Sequence, residues 1–152
     1  MLQKLKPYLI SIGVSSGVGA LSALLTMGNM DVYENIVKPP LSPPSWLFSV
    51  VWTILFILMG ISSAIVYKKG DSGGALFVYG AQLIVNFFWS IIFFNMQAYL
   101  FAFIWLVLLW ILILIMIVKF YKISPIASYL QIPYLLWVTF AGYLTFMIYY
   151  LN

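Results

Sequence analysis

The chain has 152 residues, 65% hydrophobic and 19% aromatic, with only 7% charged, and a mean hydropathy of +1.11. A soluble domain carries about 25% charged residues, so seven Lys and three acidic side chains cannot give this chain a surface for water; it belongs in a lipid bilayer. The absence of His and Cys excludes zinc and Ser-His-Asp hydrolases, His-ligated haem proteins and disulfide frameworks, and a net charge of +4 from scattered lysines makes no nucleic-acid-binding patch.

A hydrocarbon core of about 30 Å takes roughly 20 apolar residues per helix. Reading between the charges gives five such stretches, 8–27, 45–67, 74–94, 99–118 and 125–150. They are continuously apolar rather than alternating, which excludes a β-barrel. The expected fold is an all-α membrane protein, a bundle of five transmembrane helices forming one domain over residues 1–152.

The first span follows Lys4 and Lys6 and is too long for a signal-peptide core, so a retained helix is expected. Gly13 and Gly17 form G-x-x-x-G, and Ser15, Gly19 and Ala23 form a second ridge of small residues. Such ridges allow close helix approach; packing inside the bundle is expected rather than dimerisation. Residues 28–44 contain Asp31, Tyr33, Glu34, Pro39, Pro40, Pro43 and Pro44. Prolines so dense cannot lie inside a helix, and a loop of this length in a compact bundle is often functional. A structured lid over that end of the bundle is the expectation, with Ser45 as N-cap of the second span.

In the second span Trp52, Phe56 and Met59 share a helix face, and in the third Gln82, Asn86, Trp89 and Phe93 do so. The fourth span is uniformly apolar. In the fifth, Tyr134, Trp137, Ala141 and Thr145 make another stripe, while Trp46, Tyr67, Tyr149 and Tyr150 lie near span ends, where aromatic residues anchor helices at the membrane surface. The buried amides need partners, which neighbouring helices or a ligand would supply, so spacing alone fits a ligand pocket and plain packing equally. No Asp, Glu, Lys or Arg falls within a span, which argues against ion-coupled transport. Lys4, Lys6, Lys68, Lys69, Lys119 and Lys122 fall on one side of the membrane and Lys38 on the other. By the positive-inside rule the N-terminus is cytoplasmic and the C-terminus outside.

Residues 39–60, PPLSPPSWLFSVVWTILFILMG, carry a pattern Pro-Pro-x-Trp-x-Phe-x-x-Val-Trp that resembles the TspO/MBR family, the tryptophan-rich sensory proteins of bacteria and the mitochondrial translocator proteins. The likeness continues at Asn86–Trp89, Ile92–Phe94, Ser124–Pro125, Pro133-Tyr134-Leu135-x-Trp137 and Phe140-Ala141. It implies a five-helix bundle, a homodimer, and a cavity open toward the loop after the first helix, taking porphyrins such as protoporphyrin and haem, and benzodiazepine-type drugs. Carried over by position, it puts Trp52 and Phe56 on the second-helix wall, Asn86 and Trp89 on the third, and Trp137 and Ala141 on the fifth. Pro43, Trp46 and Ser49 match the approach from loop to helix, with Tyr33 a further loop candidate. Residues 144–152, LTFMIYYLN, lack the basic residue of the animal members' sterol motif, so sterol binding is not carried over. A bacterial-type member places the chain in the cytoplasmic membrane of a bacterium.

These readings converge on a receptor or carrier binding a tetrapyrrole in an aromatic cavity. Its ligand-binding residues are expected to be Tyr33, Pro43, Trp46, Ser49, Trp52, Phe56, Gln82, Asn86, Trp89, Phe93, Tyr134, Trp137 and Ala141, with the porphyrin plane between Trp52 and Trp137. No metal site and no required cofactor are expected; the tetrapyrrole is ligand or substrate, and the bilayer is the other partner. Two alternatives stay open. One is a light-dependent porphyrin-degrading enzyme, in which Trp52 and Trp137 would be the catalytic residues. The other is a passive translocator or a structural partner of other membrane proteins.

Overall fold

The computed structural model describes residues 2–26, 35, 36, 38, 40, 42–70 and 73–152. Among them lie helices α1 (Leu2–Thr26), α2 (Ser45–Lys69), α3 (Ala75–Ser90), α4 (Tyr99–Ile123), α5 (Pro125–Leu130) and α6 (Ile132–Leu151), with a π-helical turn, Ile91–Asn95, continuing α3. They make five membrane-length segments of 21 to 25 residues for four of them and 27 for α5 with α6. At 1.5 Å per residue each crosses a hydrocarbon core of about 30 Å. The chain is an integral membrane protein of all-α class.

Hydrophobic burial does not sort residues here as it does in water. Large apolar side chains such as Leu9, Val14, Phe77, Ile104 and Leu136 point outward, where lipid tails meet them. The interior is instead set by packing and hydrogen bonds. Along α4 the buried positions are Ala102, Leu106, Leu109, Ile113, Met116 and Phe120, alternating steps of four and three that keep one stripe on the neighbouring helices. Within α6, Tyr134, Val138, Ala141, Thr145 and Ile148 repeat the pattern.

α1 and α2 lie close because small residues meet there. The Ser15 hydroxyl donates to the Phe56 carbonyl oxygen at 2.6 Å. A side chain at Gly60 would run into the backbone of Ile12, and one at Gly19 into the Phe56 ring. The ridge of Ser15 and Gly19 therefore packs inside the bundle as expected. Gly13 and Gly17 do not: they turn outward, with no atom within 4 Å of where a side chain would start.

Four other expectations are corrected. Ser45 is the first residue of α2 rather than its cap, since Pro44, in extended conformation, holds the N-cap position. α1 starts earlier than residue 8 and includes Pro7, and α4 runs past residue 118 through Lys119 and Lys122 to Ile123. The fifth span is broken at Gln131, because Pro133 stands in the first turn of α6 and has no N–H to continue the ladder from α5. Ser124 caps α5 by accepting from the Ala127 N–H.

Lys68 Nζ donates to the Lys4 carbonyl at 3.4 Å and lies 5.0 Å from the Tyr8 ring centroid, and Lys119 Nζ donates to the Gly73 carbonyl at 2.6 Å. The lysines flanking α1, α2 and α4 thus gather at one end of the bundle. There the chain turns from α2 into α3 through Gly73 and Gly74, whose φ values of 66° and 74° are left-handed and suit glycine. The segment expected as a lid, 28–44, lies largely outside the described residues. Of its described part, the Pro40 carbonyl accepts from the Tyr143 hydroxyl at 2.9 Å, and Ile36 packs on the core.

Candidate functional site

A cavity of about 570 Å³ opens between α1, α2, α3 and α6 in the half of the bundle away from the lysines. α2 turns Phe48, Ser49, Trp52, Thr53 and Phe56 to it, at steps of one helical turn and its neighbour. α3 contributes Asn86, Trp89 and Ser90, and the π-helical turn adds Phe93 and Phe94. The wider turn, closed by the Met96 N–H on the Ile91 carbonyl at 3.1 Å, carries both phenyls, which line the space together as the α-helical neighbours Trp52–Thr53 and Trp89–Ser90 do. α6 supplies Ala141, Leu144, Thr145 and Ile148, and α1 supplies Ser16, Gly19, Ala20, Ser22, Ala23 and Thr26.

The chemistry of these walls is apolar and flat-faced. Six aromatic rings surround one amide, Asn86, and a few hydroxyls. Trp52 and Phe56 lie 5.7 Å apart, and Trp89 stacks on Phe93 at 5.3 Å with an interplanar angle of 26°. The threonine hydroxyls are already committed: Thr53 donates to the Ser49 carbonyl, Thr26 to Ser22 and Thr145 to Ala141. Among the described residues no charged side chain lines the space, so they offer a ligand dispersion, stacking, the Asn86 amide and the hydroxyls of Ser16, Ser22, Ser49 and Ser90.

Seven of the residues singled out from the sequence line this cavity: Ser49, Trp52, Phe56, Asn86, Trp89, Phe93 and Ala141. Gln82 and Tyr134 lie behind the wall, fully buried. The Asn86 Nδ2–H donates to the Tyr134 hydroxyl oxygen at 2.7 Å, and the Tyr134 O–H donates to Gln82 Oε1 at 2.6 Å. Trp137 is not among the lining residues; it stands edge-on to Phe48, 5.6 Å between centroids, and beside Phe140. Of the two indoles expected to flank a porphyrin plane, Trp52 is thus on the lining and Trp137 is in contact with it through Phe48. Trp46 is 65% exposed at the start of α2. Pro43 precedes that helix, half-buried and away from the lining. Tyr33 lies outside the described residues.

Sequence reasoning missed the α1 wall entirely, along with Phe48, Thr53, Phe94, Leu144 and Ile148. Extending the stripes by one turn would have found Phe48 and Ile148. The small residues of α1 carried the remaining signal, since Gly19 and Ala23 leave room as well as allowing contact.

Fold and cavity together define a five-span integral membrane protein whose helices enclose an aromatic chamber at one end. The TspO/MBR family profile matches residues 11–151, and the chain belongs to that family. It is 41% identical over 148 residues to the "Tryptophan-rich protein TspO" of Chlorobaculum tepidum, covering 94% of each chain. It is 39% identical over 122 residues to the protein of the same name from Archaeoglobus fulgidus, covering 79% of each. The "Translocator protein" of Sus scrofa is 32% identical over 151 residues, 93% of this chain and 89% of that one.

Proposed function

We propose that the protein is a membrane receptor or carrier that binds porphyrins, and other flat apolar ligands of drug size, inside this cavity. The observation that carries the reading is the ring of six aromatic side chains around one buried amide in about 570 Å³, within the roughly 300–1,000 Å³ of small-molecule sites. The porphyrin face lies against Trp52 and Phe56 of α2 and Trp89 and Phe93 of α3, with Trp137 supporting the wall through Phe48. The described lining residues include no Met, Tyr, His or Cys, hence no side chain suited to ligating haem iron, and the metal-free macrocycle is the preferred form. The lysine-rich end faces the cytoplasm by the positive-inside rule, so the cavity lies in the outer half of the membrane. The family resemblance supports a homodimer.

Titration with protoporphyrin tests the reading. Saturable binding at one site per chain, read from the Soret band and from quenching of tryptophan fluorescence, is expected for the purified protein in detergent. Quenching that rises linearly without saturation, as partition into micelles gives, would refute it.

A further inference from the structure

Tyr134 is 1% exposed and lines no part of the cavity, yet it holds lining residues on two other spans. Its ring stands edge-on to Trp52 of α2, with centroids 6.1 Å apart at 72°. Its hydroxyl joins Asn86 and Gln82 of α3. We infer that Tyr134 is a positioning residue that fixes the Asn86 amide with its nitrogen inward and leaves the carbonyl oxygen as the cavity's hydrogen-bond acceptor. The ligand class this selects carries an outward-pointing N–H or O–H donor, such as the O–H of a protonated carboxyl substituent.

A side-chain amide free to turn presents its donor or acceptor edge at similar cost, because its terminal torsion is broad and two-fold. Asn86, 4% exposed, is the sole amide among the described lining residues, so its orientation sets which hydrogen bond this wall of the aromatic chamber offers. The phenolic proton is spent on Gln82 Oε1. Only a lone pair of the phenol then remains for Asn86, and a lone pair demands the N–H edge. Gln82, 0% exposed and bonded through its oxygen while its Nε2 has no partner among the described residues, sets the phenol by accepting its proton, and the phenol in turn orients the Asn86 amide. In a low-dielectric interior such linked bonds reinforce one another, and breaking one strands the rest. Tyr134 acts on a ligand through Asn86, and its ring contact with Trp52 is separate from this task.

The inference rests on reading the cavity as a porphyrin site, and the experiment separates the two. Tyr134→Phe keeps the ring and removes only the hydroxyl. Protoporphyrin affinity should fall about 3- to 10-fold, the size of one ordinary hydrogen bond. In an Asn86→Leu background the same change should have no further effect; an undiminished effect there means that Tyr134 works by packing and overturns the inference. A ligand-free measurement stands beside it. In protein labelled with 15N-asparagine, the side-chain amide signal absent from Asn86→Leu belongs to Asn86. It should exchange slowly with solvent in the wild type and faster in Tyr134→Phe. Gln82→Met, which frees the phenol to turn, is the second variant and should speed exchange as well. Unchanged exchange in both variants overturns the inference whether or not porphyrin binds. Accelerated exchange with no saturable porphyrin binding upholds it and instead refutes the proposed ligand.

Discussion

Trp52 and Trp137 make the same appearance in the sequence, an indole on a helical stripe, and the structure gives them different work. Trp52 faces the cavity, while Trp137 reaches it only through Phe48. Replacing each by leucine separates them. A ligand covering one indole face takes about a third of the 150–250 Å² that a tryptophan buries, roughly 50–80 Å². At about 25 cal/mol per Å² this is worth about 1.3–2 kcal/mol, of which leucine recovers roughly half. Offset stacking adds about 0.5–1.5 kcal/mol. The Trp52→Leu loss is then about 1.2–2.5 kcal/mol, or about 8- to 70-fold in Kd. Trp137→Leu should cost less than about 3-fold, because only the seating of Phe48 changes. The assay is a Soret absorbance titration with protoporphyrin, which does not depend on the fluorophores removed. Equal losses in the two variants, or a larger loss for Trp137→Leu, would show that the ligand is not held against the α2 wall.

Other consequences follow from the same packing. Gly60→Ala drives a methyl into the backbone of Ile12, whereas Gly17→Ala meets nothing; thermal unfolding in detergent should show a loss of about 1–3 kcal/mol for the first and a change within about 0.5 kcal/mol for the second. Gln131 is fully buried, with both amide atoms lacking a partner among the described residues. Gln131→Met should therefore raise the unfolding midpoint by the equivalent of about 1–3 kcal/mol, and a fall would mean that the amide is bonded through buried water. Since no iron-ligating side chain is among the described lining residues, protoporphyrin should compete at least as well as haem for the site; a haem preference of tenfold or more would point to a ligand group elsewhere. A carrier leaves its cargo intact, so the Soret band of bound protoporphyrin should bleach under illumination no faster than that of free porphyrin. Faster bleaching that Trp52→Leu abolishes would establish the enzymatic alternative.

The parts of this structure legible in the sequence are those that local pattern determines. Charge-free apolar runs give the spans, since each must satisfy its own backbone in lipid. Helical periodicity gives the faces of α2 and α3, because residues three and four apart share a side whatever lies opposite. What was not legible depends on departures from that regularity. The π-helical turn, which turns Phe93 and Phe94 to one space, has no signature in its own residues, Ile91–Asn95. Trp137 follows Tyr134 by three residues, close enough to be read as one stripe, yet the bundle is tight enough that Tyr134 is sealed behind the cavity wall and Trp137 packs on Phe48. Gln82 and Asn86 also share a face, but one turn of depth gives them different roles: Asn86 lines the cavity and Gln82 anchors the phenol behind it.

The α1 wall shows most clearly why a stripe of rings is not yet a pocket. Ser16, Gly19, Ala20 and Ala23 line the cavity across from the aromatic helices, and a side chain at Gly19 would already touch the Phe56 ring. Larger residues here would fill the chamber with protein, and the rings of α2 and α3 would become ordinary core. The ridge of small residues in α1 therefore serves two ends: at Ser15 and Gly19 it brings the helix against α2, and at Ser16, Ala20 and Ala23 it leaves space. Sequence alone shows the smallness; only the placement of α1 beside α2 decides at which residue closeness gives way to room.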